Sequence, residues 1–138
     1  VLFFLDKKAL RDVDYPLLFT FVFFFVFAGN MERIPQVREL FASLLEKNTL
    51  LVSVLSCQII SNVPSAILLS GFTGNYPELL VGVNIGGVGT LISSLASLIT
   101  FREYLSHNPG KAGKYIAEFS AFNFSFLIIL TAFMLLIR

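Results

Sequence analysis

Apolar residues in this chain fall into long runs that are separated by short polar or glycine-rich stretches. Two of the runs, residues 15–30 and residues 117–137, hold few polar side chains, and the first is rich in phenylalanine. A helix needs about 20 consecutive apolar residues to cross the hydrocarbon core of a bilayer. Both runs therefore predict membrane-spanning helices, the first of which must borrow flanking residues or lie where the bilayer is thin.

Residues 34–47 mix apolar and charged positions with the period of a helix. The apolar positions recur at steps of three and four residues: Ile34, Val37, Leu40, Phe41, Leu44 and Leu45. Charged residues occupy several of the positions between them. This pattern predicts an amphipathic helix that lies at the membrane interface. A connector helix that packs on the protein is the alternative.

Residues 48–72 predict a re-entrant hairpin, which enters and leaves the membrane at the same face. The apolar run 48–60 rises only about 20 Å as a helix, which is too short for a hydrocarbon core of about 30 Å. The run stops at Ser61-Asn62-Val63-Pro64-Ser65, and a second short apolar arm follows. Because Pro64 has no N–H to donate and disfavours helical geometry at Val63, this polar stretch is expected to form the tip.

A broken membrane span is predicted over residues 77–102. Four glycines occur within residues 82–89, and such a density is unfavourable in a helix interior. The apolar pattern resumes at Leu91 and continues to Phe101. We therefore expect helix on both sides of an interruption at residues 82–90.

The two interruptions carry the candidate binding chemistry. Unwound backbone at membrane depth is tolerated only where it is buried in protein or lines a cavity, and broken helices of transporters direct their ends at a shared site. Side chains and free carbonyls at both interruptions offer neutral ligands for Na⁺ or for a small anion. The candidate binding residues are Ser61, Asn62, Val63, Pro64, Ser65, Asn84, Gly86, Gly87, Gly89 and Thr90. The alternative for the glycines is that they only permit close helix packing.

Composition and charge point to a membrane environment and exclude other classes of function. The chain is 56% hydrophobic and only 14% charged, with a mean hydropathy of +0.81, whereas soluble domains are about 25% charged. A net charge of +1 does not provide the basic face that a nucleic-acid partner requires. The predicted spans hold no Ser–Lys, Asp–Asp or His–Glu grouping, so we predict no enzyme, no catalytic residue, and no cofactor or metal beyond a transported Na⁺.

The two interruptions resemble those of a known family. The segment Ser61-Asn62-Val63-Pro64-Ser65-Ala66, followed by Val83-Asn84-Ile85-Gly86-Gly87-Val88-Gly89-Thr90, looks like the second half of the ion transporter superfamily. That group includes citrate transporters, divalent anion–sodium symporters, sodium–proton antiporters and arsenite permeases. The Ser-Asn pair is similar to the family's Ser-Asn-Thr signature, with Val63 in place of the threonine. The glycine-rich interruption looks closer to the arsenite permease and citrate transporter-like branch.

The resemblance implies an all-α membrane protein that forms one inverted repeat of a secondary transporter, with a re-entrant helical hairpin and a broken transmembrane helix. Residues 1–138 would be a single transmembrane domain, the second half of a longer transporter. The apolar residues 1–5 lie before the resemblance and lack the layout of a signal peptide, so we interpret them as the tail of an earlier membrane helix. The implied partners are the lipid bilayer, a small anion and the N-terminal repeat. A homodimer stays open.

Two functions from different classes follow from these patterns. The first is a secondary active transporter that moves a carboxylate, an oxyanion or Na⁺ by alternating access, in a multi-pass protein of the bacterial inner membrane. The second is a non-transporting scaffold or the remnant of a truncated transporter gene. The topology that the resemblance implies puts the loops before the first and last spans on one side of the membrane, and the slight excess of basic residues there, six against four, makes that side cytoplasmic. The six are Lys7, Lys8, Arg11, Arg102, Lys111 and Lys114, and the four are Arg33, Arg38, Lys47 and Arg138. Coupling to Na⁺ and coupling to H⁺, by symport or antiport, stay open.

Overall fold

All regular secondary structure in the part of the chain that this computed structural model describes, residues 15–137, is helical. The six helices are α1 (Tyr15–Met31), α2 (Pro35–Ile60), α3 (Asn62–Ser70), α4 (Tyr76–Gly86), α5 (Leu95–His107) and α6 (Ala112–Ile137), with a 3-10 turn at Leu91–Ser93. The predicted all-α class is thereby confirmed. The predicted tail 1–5 and the basic loop that contains Lys7, Lys8 and Arg11 lie outside the described residues.

Helix α2 joins two segments that the sequence pattern separates. Its axis is interrupted at Asn48, where the backbone is extended (φ −163°, ψ 90°). The Asn48 side-chain oxygen accepts a hydrogen bond from the Leu51 N–H at 3.0 Å, in the manner of a helix N-cap. We call the amphipathic part before Asn48 α2a (residues 35–47) and the apolar part after it α2b (residues 49–60).

Helices α2b and α3 form an antiparallel hairpin whose tip is a single residue. Ser61 links the two helices with a positive φ of 74° and a ψ of 160°. Pro64 lies in the first turn of α3, where a missing N–H leaves no hydrogen bond unmade. After α3 the Phe72 ring stacks on the Phe41 ring of α2a, with 5.1 Å between centroids. The chain therefore returns to the end of the hairpin at which α2b begins.

Helix α4 packs on α2b at unusually short range. A β-carbon on Gly82 would lie 2.6 Å from Ser53 Cβ, and one on Gly86 would lie 2.8 Å from Cys57 Cβ. The two glycines are four residues apart, as are Ser53 and Cys57, so small residues face each other over one helical turn, as in packed membrane helices. This contact adjoins the main buried cluster, which contains Ala28, Leu45, Cys57, Leu68, Leu69, Phe72, Leu79 and Val83.

Two of the described helices, α2 and α6, are long and apolar enough to cross a membrane by length and composition. Helix α6 begins at Ala112, earlier than the predicted start at residue 117, and Leu127 is its buried residue, in a cluster with Val54 and Ile85. Large apolar side chains cover most of its surface, and Leu136 is 85% exposed. Such a surface is consistent with a membrane protein, because soluble proteins rarely expose contiguous apolar patches of this extent.

Candidate functional site

The interruption of the predicted broken span lies later in the chain than the glycine pattern predicts. Helix α4 continues through Gly86, and the helix resumes at Leu95, so the interruption covers residues 87–94. The expectation that Asn84 lies in the interruption is therefore wrong. Glycine is unfavourable in helices by about 1 kcal/mol relative to alanine, but Gly82 and Gly86 let α4 pack tightly on α2b, and this packing offsets the cost.

The two interruptions lie against each other. At the hairpin tip the Ser61 hydroxyl donates a hydrogen bond to the carbonyl of Ser93, at 3.3 Å, in the 3-10 turn after α4. The Asn62 side-chain amide lies over Gly87, because a β-carbon on Gly87 would be 3.0 Å from Asn62 Nδ2. The structure thus brings two regions of the sequence that lie about 30 residues apart into one site.

Gln58, which the sequence pattern does not single out, connects the hairpin arm to the second interruption. Its Nε2 donates to the carbonyls of Gly86 at 2.8 Å and Val88 at 3.3 Å. Its Oε1 accepts from the Thr90 N–H at 2.9 Å, and its backbone carbonyl accepts from the Thr90 hydroxyl at 3.1 Å. The signal for it in the sequence is slight: Gln58 is the one side-chain amide within residues 49–60.

Ser93 is a second residue at the site that the sequence pattern does not single out. Its side chain is fully buried, and its hydroxyl lies 2.9 Å from the Gly87 carbonyl and 2.7 Å from the Thr90 carbonyl. Together with Gln58 it supplies donors to carbonyls that were expected to be free. The reason is that a backbone carbonyl away from water needs a hydrogen-bond partner. The Gly86, Gly87 and Val88 oxygens each keep a second lone pair for a ligand, whereas the Thr90 oxygen also accepts the Ser93 N–H at 3.1 Å.

The other candidate residues occupy several environments. Val63, which is 45% exposed, and Pro64 both belong to the first turn of α3. The expectation that Pro64 keeps Val63 out of helical geometry is therefore wrong, because a proline in the first turn of a helix breaks no hydrogen bond. The Ser65 side chain is fully buried, next to the Cys57 thiol. Asn84 is exposed on α4, where its Nδ2 donates to the Leu80 carbonyl at 2.7 Å. Gly86 serves the contact with Cys57. Thus Ser61, Asn62, Gly87, Gly89 and Thr90 are the candidates that the structure gathers at the two interruptions.

The electrostatic character of the site comes from helix ends and neutral polar groups. Glu78 is the only charged residue between Asn48 and Phe101, and it lies in the first turn of α4, at the opposite end from the site. The C-terminal ends of α2 and α4 direct partial negative charge toward the site, and the N-terminal end of α3 directs partial positive charge there. Such an arrangement suits one cation and one small anion.

The chain is similar to curated membrane proteins. Uncharacterized transporter MJ0456 of Methanocaldococcus jannaschii is 38% identical over 121 residues, which make up 88% of this chain and 34% of that protein. Inner membrane protein YbiR of Escherichia coli is 34% identical over 101 residues, which make up 71% of this chain and 27% of that protein. No family model and no solved structure matches the chain. The chain therefore spans between about a quarter and a third of the length of these relatives and is homologous to part of each.

Proposed function

We propose that the chain forms part of a secondary transporter that moves a small anion, such as a carboxylate or an oxyanion, or Na⁺ across a membrane. The observation that carries the proposal is the contact of Ser61 with Ser93, which joins a helix tip to a helix interruption. A relative that is 38% identical over 88% of the chain is named a transporter, which supports the same role. Paired interruptions at membrane depth are typical of transporter binding sites.

The proposed ligands are neutral oxygens from both interruptions. The Ser61 and Thr90 hydroxyls each keep acceptor lone pairs after donating their hydrogen bonds. The Ser65 hydroxyl, which is fully buried in α3 next to the Cys57 thiol, is a further proposed oxygen ligand. Na⁺ is a hard cation of the kind that oxygen ligands accommodate. Asn62 and Asn84 add side-chain amides, whose oxygens would coordinate a cation and whose N–H groups would donate hydrogen bonds to an anion.

In the proposed transporter, the hairpin lies within the membrane. Residues 48–72 would enter and leave at one face, and residues 77–102 would form a broken span beside them, in a multi-pass protein of the bacterial inner membrane. A second, inverted repeat would complete the binding site from the opposite side, since alternating access requires one repeat to move against the other. The exposed Asn84 side chain is oriented away from the packed hairpin and suits a ligand or residue on that open side.

The scaffold alternative is favoured by one observation. The carbonyls of Gly86, Gly87 and Val88 already accept hydrogen bonds from Gln58 and Ser93, so the interruption has internal partners without any ligand. In a scaffold this network would only stabilise the fold. Transport measurements distinguish the two functions, because a scaffold accumulates nothing.

The test is uptake by the full-length parent protein in proteoliposomes. Radiolabelled sodium, citrate and arsenite are the probes. Each is offered with an inward Na⁺ gradient and, separately, with an inward and with an outward proton gradient, because an antiporter takes up Na⁺ in exchange for protons that leave the vesicle. We expect at least one probe to accumulate above the level in protein-free vesicles, and to do so only with a gradient of its coupling ion. Uptake equal to that of protein-free vesicles for every probe and gradient would contradict transport of these classes and favour the scaffold.

A further inference from the structure

We infer that Gln58 is a positioning residue that fastens the interruption after α4 to the hairpin arm α2b. The inference deepens the proposed function and rests on it, because it assigns Gln58 the task of holding the ligand groups of the two interruptions at a fixed spacing. Gln58 itself is not assigned as a ligand. Its side chain acts through the backbone of residues 86–90, where four of the candidate binding residues lie.

The first argument is that both ends of the Gln58 amide are used. Nε2 lies 2.8 Å from the Gly86 carbonyl and 3.3 Å from the Val88 carbonyl, and it is 3.1 Å from the Val54 carbonyl of its own helix. Oε1 accepts the Thr90 N–H at 2.9 Å. The two Nε2 hydrogens are shared among three carbonyls, and the shortest of these contacts is to Gly86. One side chain thus pairs with the Gly86 carbonyl and the Thr90 N–H, and in part with the Val88 carbonyl, which are groups that the interruption removes from helical hydrogen bonding. Unsatisfied groups of this kind are strongly unfavourable away from water.

The second argument is that the backbone around Gln58 is shaped to receive this side chain. Gly89 has a φ of +131°, a conformation that other residues rarely adopt. A β-carbon on Gly89 would collide with Gln58 Oε1, so the amide occupies the space in which a side chain at position 89 would begin. The close approach of Gly86 to Cys57 brings the interruption within reach of a glutamine.

The third argument concerns what a fixed spacing does for the site. Ser61 follows Gln58 by three residues and contacts Ser93 through a single hydrogen bond of 3.3 Å. Gln58 forms three hydrogen bonds between the same two segments, to Gly86 at 2.8 Å, to Thr90 at 2.9 Å and to Val88 at 3.3 Å. They therefore contribute more to the contact than the one bond of Ser61. Without them the Thr90 and Ser61 hydroxyls would change their separation, and ligand binding would weaken although both helices remain folded.

The test compares Gln58→Met with wild type in the full-length parent protein, and Gln36→Met is the matched control. Gln36 is exposed on α2a and forms no hydrogen bond among the described residues. The first readout is amide hydrogen exchange, which reports local opening. We expect exchange in residues 86–90 to become about tenfold faster in Gln58→Met, roughly what the loss of one hydrogen bond produces, with residues 62–70 unchanged. Unchanged exchange in residues 86–90 would overturn the inference.

The second readout is the concentration of the transported probe that gives half-maximal uptake by the parent. A positioning role predicts an increase of about tenfold in Gln58→Met with a smaller change in the maximal rate, and no change in Gln36→Met. Faster exchange without a change in either half-saturation or rate would make Gln58 merely structural and overturn the positioning role. A parent that accumulates no probe contradicts the proposed function and the positioning role together, while exchange still decides whether Gln58 fastens the two segments.

The variant Gln58→Glu adds a pH-dependent readout. A protonated glutamic acid offers one O–H donor and one acceptor, as the amide does in part, whereas an ionised carboxylate has no donor for Gly86 or Val88. We expect the ratio of uptake by Gln58→Glu to uptake by wild type, measured at the same pH, to rise toward one as the pH falls. A constant ratio of the two profiles would count against the hydrogen-bonding role.

Discussion

The α-carbon of Gly86 lies so close to Cys57 that a β-carbon added to the glycine would be 2.8 Å from both Cβ and Sγ of the cysteine. One turn earlier, a β-carbon on Gly82 would be 2.6 Å from Ser53 Cβ. Helices in membranes associate largely through such close packing, because lipid offers little hydrophobic driving force between them. This contact therefore sets the position of α4 on the hairpin arm and, with it, the position of the interruption.

Gly86→Ala is expected to destabilise the full-length protein by about 1–3 kcal/mol, the usual range for overpacking a close contact. The measurement is the unfolding midpoint in detergent. Gly29→Ala is the control, since a β-carbon on Gly29 meets nothing within 4 Å, and the change should be neutral or stabilising by up to ~1 kcal/mol. Equal midpoints for the two variants would show that α4 and α2b do not approach this closely.

Gly89→Ala is expected to be more damaging than Gly110→Ala. Both glycines have positive φ values, +131° and +87°, so alanine is strained at each. Only at Gly89 would the new β-carbon also collide with a side chain, that of Gln58, whereas Gly110 has nothing within 4 Å. We expect Gly110→Ala to cost about 1 kcal/mol and Gly89→Ala to cost more and to reduce uptake as well. The reverse order of unfolding midpoints would contradict the contact with Gln58.

Asn62→Ala and Asn84→Ala are expected to reduce uptake at least tenfold in the full-length protein, with membrane expression near that of wild type. Asn123→Ala is the matched control for Asn84, because each side chain donates to the carbonyl four residues earlier, at 2.8 Å and 2.7 Å respectively. A hydrogen bond of this type in a membrane is worth only about 0.6 kcal/mol on average. If all three variants lose uptake and expression in parallel, the asparagines act through folding. Ser61→Ala should have a smaller effect, since neighbouring carbonyls can partly compensate.

Single cysteines at Lys47 and Asn75 are expected to react with a membrane-impermeant thiol reagent from the same side of the membrane. Glu46 and Asn75 line one cleft in the structure, with Thr49 and Phe72 between them, so both ends of the hairpin lie together. The background variant carries Cys57→Ala, which removes the free cysteine of the described residues. Reaction from opposite sides would rule out a re-entrant hairpin and require residues 48–72 to cross the bilayer.

Proteoliposomes that contain only these 138 residues are expected to show no uptake of the probe that the full-length parent accumulates. The physical reason is that alternating access needs a second structural unit to move against. The control is the parent, reconstituted at the same protein-to-lipid ratio. Uptake by the short chain, driven by the same ion gradient, would refute the need for a facing repeat.

Sequence alone determined the helical class and the approximate positions of the apolar helices. It also placed a break in the chain near Ser61, but it extended that break through Pro64, whereas α3 already begins at Asn62. The correct parts rest on local properties, such as the number of consecutive apolar residues and the charged positions between 34 and 47, which do not depend on distant partners. The same local reasoning placed the second interruption too early, at residues 82–90. It could not include the contact of Gly82 and Gly86 with the small side chains of Ser53 and Cys57. This close packing keeps the two glycines in the helix.

Only the tertiary structure decided which polar groups meet. Gln58 and Thr90 are 32 residues apart in sequence, as are Ser61 and Ser93. No periodicity in the chain encodes these pairs, because a hydrogen bond between distant segments depends on how closely their helices pack. The close packing of α4 on α2b brings Gln58 to the interruption, and the need to satisfy backbone groups away from water then makes it, with Ser93, the partner of the carbonyls that sequence analysis had left free.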